Sequence, residues 1–380
     1  MVNQELEEHR VVQECLVEMK ALIDDAKKSY ATEVTLDEGM MLVDGCFILE
    51  LLYRRHHGIS KAQKDADPIC GITAAKISYD LVLLENQIPL FVLEKLFQLT
   101  VARIPNPPYK DLLLIDYVQK HFEHKISRRL SRSLRDPNAK HYHILHILHD
   151  AYLPRDQRKE KGPDSELEEQ MPSASDLVHA GVEFVPSTEK NVFNIQFTEP
   201  KGLFSFCQRA RFEIPPLKIY DSTEFLLRNL IAFEQCYCCL GVSKHVSSYA
   251  VVMDMLVNSD EDVQVLEKAR VLHNCLGASK DATDLLNNLT KEIAVRSYFN
   301  ETCIKATQYA KRFWPKNMAY LRHTYFASPW TFIAFCIGFI AFVMSVISFV
   351  HDFLKKEEDR CCCQGEVESS YCFPTHALPT

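Results

Sequence analysis

The chain has 380 residues, 47% hydrophobic and 25% charged, so it can bury a sizeable core and is not disordered by composition. Its 43 Lys and Arg against 51 Asp and Glu give a formal net charge of −8. That lacks the cationic surplus needed to neutralise phosphates, so no nucleic-acid partner is expected. With 11 Gly and neither G-x-G-x-x-G nor G-x-x-x-x-G-K-[ST], glycine-cradled nucleotide sites are disfavoured too, and no cofactor is expected.

From the N-terminus, Val12, Leu16, Met19 and Ile23 recur at spacings of four and three, giving one apolar face to a first helix. Residues 38–55 read as a strongly apolar helix ending in Arg and His. After a loop at 61–68, apolar helical arms at 81–85 and 89–99 meet at the polar knot Glu85-Asn86-Gln87, with Pro89 suited to a first helical turn. A proline-rich break at 104–108 precedes further helical periodicity over 112–130. Residues 150–172 are charged and carry proline without an apolar period, and read as an exposed linker.

Ser173, with Asp176 three positions on, caps a short helix that Gly181 ends. The period then changes. Residues 182–185, 192–197, 203–206 and 212–219 are short β-branched or aromatic runs parted by Pro, Gly, Asn and Lys, which predicts a small antiparallel β insertion over 182–219. Asp221 and Glu224, at capping-box spacing, start a helix over 224–240. Helices follow at 250–257, 260–272 and 281–290, and a long one runs through Trp314 to about Arg322. The expected fold class is mainly α: a helical domain over 1–325 with the β insertion, a C-terminal transmembrane helix, and a Cys-rich tail over 351–380.

The transmembrane segment is TFIAFCIGFIAFVMSVISFV, 331–350, uncharged and about twenty residues long, enough to cross roughly 30 Å of hydrocarbon. Tyr325 and Trp330 before it suit the interface, and Lys355 and Lys356 follow it. Small residues stand four apart at Ala334 and Gly338 and at Ala341 and Ser345, a weak helix-pairing pattern. Lys311, Arg312, Lys316 and Arg322 precede the span and Lys355, Lys356 and Arg360 follow it, a near-even balance. The N-terminus, MVNQELEEHRVVQE, shows no signal-peptide pattern and favours a cytosolic large domain. On that reading the sequons at Asn288 and Asn300 go unused; the opposite topology would place Cys361, Cys362 and Cys363 where S-palmitoylation occurs.

Candidate chemistry is sparse. His141, His143, His146 and His149, with His121 and His124 upstream, place adjacent pairs on one helix face, where two could ligate a metal; without H-E-x-x-H the plainer reading is a polar face, and no metal is expected. Asn258, Asp260 and Asp262 begin like a calcium loop, but Val263 stands where Gly is required and Ala269 where Glu is. Asp44 with Glu50, and Asp80 with Glu85, are acid–base couples only if burial shifts them. The 14 Cys lack regular spacing; their clusters, at Cys236, Cys238, Cys239 and at Cys361–Cys363, are read as holding no C-x-x-C, and a reducing compartment is expected for the main domain. No catalytic, cofactor-binding or metal residue is assigned.

YDLVLLENQIPLFVLEKLF, with MLVDGCFILELL before it, resembles the hallmark of the plant proteins grouped as domain of unknown function 247. The resemblance continues in order through PSASDLVHAGVEF, FEIPPLKIYDSTEFLLRNLIAFEQC, YAVVMDMLVNSDEDVQVLEKARVLHNCLG and LRHTYFASPWTFIAF, covering about 6–350. Family members usually open with a SIGPYH-like motif, absent here, so the domain is expected to be N-terminally shortened. The family brings no catalytic residues to carry over. Its implication is a single-pass membrane protein, expected at the plasma membrane, whose partners are the lipid bilayer and another protein and whose role is interaction or recognition. The alternative is an enzyme of unknown class using a His or carboxylate site in the helical domain.

Overall fold

The computed structural model describes residues 2–31, 33–57, 72–104, 112–122, 140–153, 170–187, 195–202, 208–291, 293, 298–312 and 333–351. The chain divides into two units, Met1–Pro315 and Lys316–Thr380.

The first unit opens with α1 (Val2–Lys27), α2 (Glu38–His57), α3 (Ile72–Asp80), α4 (Leu90–Leu99) and α5 (Leu114–His121). The face of α1 that packs inward carries Cys15, Met19 and Ala26, against α2 and α4. Asp37 starts α2 by accepting from the N–H groups of Gly39 and Met40 at 2.8 and 3.2 Å. Gly45 lets α2 close on α4, because a Cβ there would lie 2.4 Å from Cδ1 of the fully buried Leu96.

The arm predicted as a helix over 81–85 is instead a turn followed by a 3-10 turn, Leu84–Asn86. Gln87 (φ −78°, ψ 128°) is extended, and Pro89, at the N-cap of α4, has φ −54°, close to the value that its ring fixes, with ψ 132°. The helix expected over 112–130 ends at His121 within the described residues, and 123–130 lies outside them.

Next come α6 (Ile144–Tyr152) and α7 (Ala174–His179). The predicted linker is corrected at both ends. Asp150 to Leu153 complete α6 and its cap, with Ala151, Tyr152 and Leu153 buried, and Met171 is 2% exposed; 154–169 lies outside the described residues. Ser173 caps α7 as expected, and Gly181 follows it at φ 90°.

The strands β1 (Val182–Pro186), β2 (Gln196–Thr198), β3 (Ala210–Ile214) and β4 (Leu217–Ile219) correct the antiparallel expectation, because the sheet is mixed. The order is β1-β3-β2: β1 runs parallel to β3, and β2 runs antiparallel to it. A parallel neighbour needs a crossover of about a dozen residues, which the stretch between Pro186 and Ala210 supplies. Phe212 sits at the centre with no exposure, opposite Phe184 and Phe197. Pro215 and Pro216 offer no N–H to a ladder, which splits the run 212–219 into two strands.

The rest of the unit is α8 (Asp221–Cys236), α9 (His245–Leu256), α10 (Asp260–Lys268), β5 (Leu272–Asn274), α11 (Ser279–Leu289) and α12 (Asn300–Ala310). At α8 the cap is Tyr220, whose N–H donates to Thr223 Oγ1 at 2.9 Å; Glu224 pairs with Arg228 instead. The helix expected to reach Leu272 stops at Lys268. Arg270 adopts φ 60°, and Arg270 and Val271 donate back to Glu267 and Leu266 at 2.9 and 3.0 Å, a Schellman reversal. Leu272–Asn274 thereby turns out to pair in parallel with β4. The helix expected to run to Arg322 ends at Ala310 within the described residues.

The second unit contains α13 (Ile333–His351), 19 residues with mean hydropathy 2.7 and none of its apolar window buried. It is long and apolar enough to cross a membrane.

Candidate functional site

The densest chemistry in the first unit lies where α6, α8 and the start of α9 meet. Helix α6 begins at His143, whose Nδ1 accepts the N–H of His146 at 3.2 Å. The next free N–H, on Leu145, goes to Gln87 Oε1 at 3.0 Å, and the Tyr142 N–H goes to His146 Nδ1 at 3.2 Å. The apolar residues Ile144, Leu145, Ile147, Leu148 and Ala151 are all buried, so α6 has no solvated face. His143, His146 and His149 are therefore interior, and the expected polar face is corrected.

Helix α8 supplies a carboxylate that sequence reading passed over. Leu227, Leu230 and Ile231 mark its buried stripe, and the next position of that stripe is Glu234, with no exposure at all. The carboxylate accepts from His149 Nε2 at 2.8 Å, from the N–H groups of Val246 and Ser247 at 2.9 and 2.8 Å, and from Ser247 Oγ at 2.5 Å. Glu234 thus caps the first turn of α9, where orphan N–H groups and the helix dipole favour an anion. On the other side of His149, Asp150 lies 3.6 Å from Nδ1, with His141 Nε2 at 3.3 Å and His146 Nε2 at 3.7 Å from its carboxylate. Phe233 fills the middle, its ring 5.0 Å from His146 and 5.2 Å from His143 and His149. Tyr142 stacks on His146 and on Tyr237.

The electrostatics split the histidines. Burial pulls His149 down, but the Asp150 and Glu234 carboxylates outweigh it and raise the imidazole to about 9. Burial drives His143 down to about 4, and His146 to about 3 despite Asp150 nearby. His245 is lowered to about 4 by burial and by His149. Burial opposes ionisation of Asp150, yet His141 and His149 hold it well below the usual carboxylate range. At neutral pH the centre is an imidazolium between two carboxylates, flanked by neutral imidazoles. Its evident use is to join three helices. Among the described residues no group of three or more donors is placed to hold a metal ion.

The other sequence candidates separate. His121 meets Ser78 Oγ at 2.9 Å, and His124 lies outside the described residues. Asp44 and Glu50 are exposed, and Glu50 pairs with Arg54; Asp80 and Glu85 are exposed too. Asp262 is 1% exposed and caps helices. It accepts from Asn258 and Ser259 N–H at the start of α10 and from Ser175 N–H in α7 at 2.8 Å. Burial raises its pKa, but these N–H groups and the Ser173, Ser175 and Ser259 side chains win and lower it. Asn300 is 6% exposed at the first turn of α12, a poor acceptor for glycosylation in the folded chain. In the first cysteine cluster, Cys236-Tyr237-Cys238-Cys239 is itself a C-x-x-C spacing, which corrects the reading that the chain has none, and Cys236 and Cys239 are both exposed.

A polar knot between buried apolar arms is expected to bond through Asn86 and Gln87 to backbone groups and through Glu85 to a cation or N–H donors, and among the described residues this holds for Gln87 alone. Gln87 is 8% exposed and fully engaged: its amide donates to Leu81 O at 2.9 Å and Leu83 O at 2.7 Å, while its oxygen takes the Leu145 N–H. Glu85 and Asn86 are exposed, so they do not share its burial.

The chain belongs to the DUF247 family, described as plant protein of unknown function, whose family model matches residues 1–344. It is similar to UPF0481 protein At3g47200 of Arabidopsis thaliana, 26% identical over 359 residues, covering 87% of this chain and 70% of that protein. It is also similar to the putative UPF0481 protein At3g02645 of Arabidopsis thaliana, 26% identical over 167 residues, covering 43% of this chain and 30% of that protein. No solved structure matches the chain.

Proposed function

We propose that this protein is anchored to a membrane by α13 and that its helical domain recognises another protein, with that domain on the cytosolic face of the plasma membrane. The observation that carries the anchor is α13 itself. Nineteen residues at 1.5 Å each reach about 28 Å, close to the thickness of a hydrocarbon core, and its apolar window has no buried residue to make it a core helix. Recognition is supported by what the buried polar groups do: His149, Glu234, Asp262 and Gln87 are engaged in capping helices and tying them together. Of the two central carboxylates Glu234 is sealed and Asp150 has a side chain 19% exposed, so within this cluster Asp150 is the one that an enzyme of unknown class could use.

The test is alkaline carbonate extraction of membranes carrying the full chain. Retention in the pellet, and release when 331–350 is deleted, is the expected result. Release of the intact chain at high pH would show peripheral attachment and overturn the anchor. Recognition is tested by affinity purification of the full chain from native membranes, where a specific stoichiometric protein partner is expected; no protein retained above a control membrane helix would count against it.

A further inference from the structure

We propose that Cys236 and Cys239 form a reversible dithiol–disulfide couple that takes its oxidising equivalents from a small disulfide of the glutathione class. Helix α8 ends at Cys236, Tyr237 caps it at φ −103°, ψ 14°, and a 3-10 turn covers Cys238–Leu240. Positions three apart on such a turn are neighbours, with Cβ atoms about 5–6 Å apart, whereas positions two apart do not face each other. The pairing this favours joins Cys236 to Cys239 and leaves Cys238 out. A disulfide wants Cβ atoms about 3.5–4.5 Å apart, so the turn must tighten by an ångström or two. The chain is already leaving α-helical geometry at Tyr237, and Gly241 beyond the turn takes φ 78°, which leaves that end adjustable.

The residue between the two thiols holds them in place. The Tyr237 ring lies 4.8 Å from Phe233, 5.2 Å from Tyr142 and 5.6 Å from His143, and its N–H donates to Phe233 O at 3.0 Å. The turn is thereby fixed to the buried cluster while Cys236 and Cys239 remain exposed to solvent. An anchored turn with two accessible thiols gives the second thiol a high effective concentration toward the first.

The chemistry is thiol–disulfide exchange. The thiolate of one cysteine attacks a sulfur of glutathione disulfide, forming a mixed disulfide and releasing one glutathione thiolate. The thiolate of the other cysteine attacks the protein sulfur of that mixed disulfide and releases the second glutathione. Overall two protein thiols lose two electrons and two protons, and one glutathione disulfide becomes two glutathione thiols.

The experiment equilibrates the purified full chain in detergent with graded mixtures of glutathione and glutathione disulfide. Remaining thiols are alkylated, and the tryptic peptide 229–244, which contains all three cysteines, is analysed by mass spectrometry. Cys275, exposed and outside the motif, serves as the single-thiol reference in the same sample. The expected result is an internal bond between Cys236 and Cys239 with alkylation at Cys238. It should form at a glutathione disulfide fraction at least about tenfold lower than Cys275 needs for its mixed disulfide, and reverse with excess glutathione. Cys239→Ser should stop at a glutathione adduct on Cys236, and Cys238→Ser should keep the bond. Glutathione adducts alone on both thiols, a bond through Cys238, or oxidation no easier than at Cys275 would each overturn the proposal, and the unsubstituted chain decides it even where a variant fails to fold.

Discussion

Replacing Gln87 by Leu keeps the approximate volume of a buried side chain and removes its hydrogen bonds. Leu81 O and Leu145 N–H belong to residues 7% and 0% exposed, so no water replaces the lost amide, whereas Leu83 O is partly accessible. Each stranded buried group costs about 1–3 kcal/mol, and partial relaxation together with the gain of an apolar side chain reduces the sum to about 2–4 kcal/mol. At about 2 °C per kcal/mol for a domain of this size, the melting midpoint should fall by roughly 4–8 °C. The assay is thermal and urea unfolding of the full chain in detergent, followed by helical ellipticity. Asn86→Leu is the control: it is exposed, so it should stay within about 0.5 kcal/mol of the parent. The reasoning fails if Gln87→Leu is equally neutral, or if both substitutions destabilise alike.

Glu234→Leu removes the cap of α9 and strands His149 in the interior, which should cost about 3–5 kcal/mol; adding His149→Phe should recover part of that loss, and a single variant as stable as the parent would contradict the capping role. Arg270→Gly should raise stability by about 0.5–1 kcal/mol in urea unfolding, because φ 60° strains a side chain and suits glycine; a loss would mean that the arginine makes a contact worth more than the strain. The pH dependence follows from the histidines. His149, raised to about 9, contributes stability that is complete below about pH 6.5 and lost as pH rises through 9. His143, His146 and His245, lowered to about 4, 3 and 4, are neutral in the fold while the unfolded chain takes up protons, so stability falls as pH drops from about 6.5 toward 4. Unfolding free energy measured from pH 4 to 10 should therefore peak between about 6.5 and 8, and a monotonic profile would refute these assignments.

Much of the helical architecture was legible because it is periodic. The Ser173 cap and Gly181 stop of α7 and the long apolar run now seen as α13 each depend on residues close in sequence, whereas the stripe expected on α1 is rotated: of its four residues only Met19 is buried and Val12 is exposed. What misled were places where a distant partner decides. The run 212–219 looks like one strand until two prolines and two different partners, β1 and β5, divide it. The stretch 260–272 reads as one helix because arginine rarely adopts positive φ, and nothing local announces that Arg270 will.

The histidines show the same limit in chemical form. Spacing placed His143, His146 and His149 on one helix, but their protonation states come from groups far along the chain: Glu234 is 85 residues from His149. A signal for Glu234 was present nonetheless, since Leu227, Leu230 and Ile231 put it in the buried stripe of its own helix. A carboxylate at such a position must find cations or N–H donors, because desolvating it unpaired is prohibitive. The available donors are an imidazole and a helix N-terminus, and both are used. The consequence reaches beyond bookkeeping of charges: α6, α8 and α9 cannot separate without exposing an ion pair's partners singly, so this part of the domain should behave as one cooperative block. A recognition surface built on that block would inherit its rigidity, while the exposed turn at Cys236–Cys239 sits at its edge, tied to it through the Tyr237 ring.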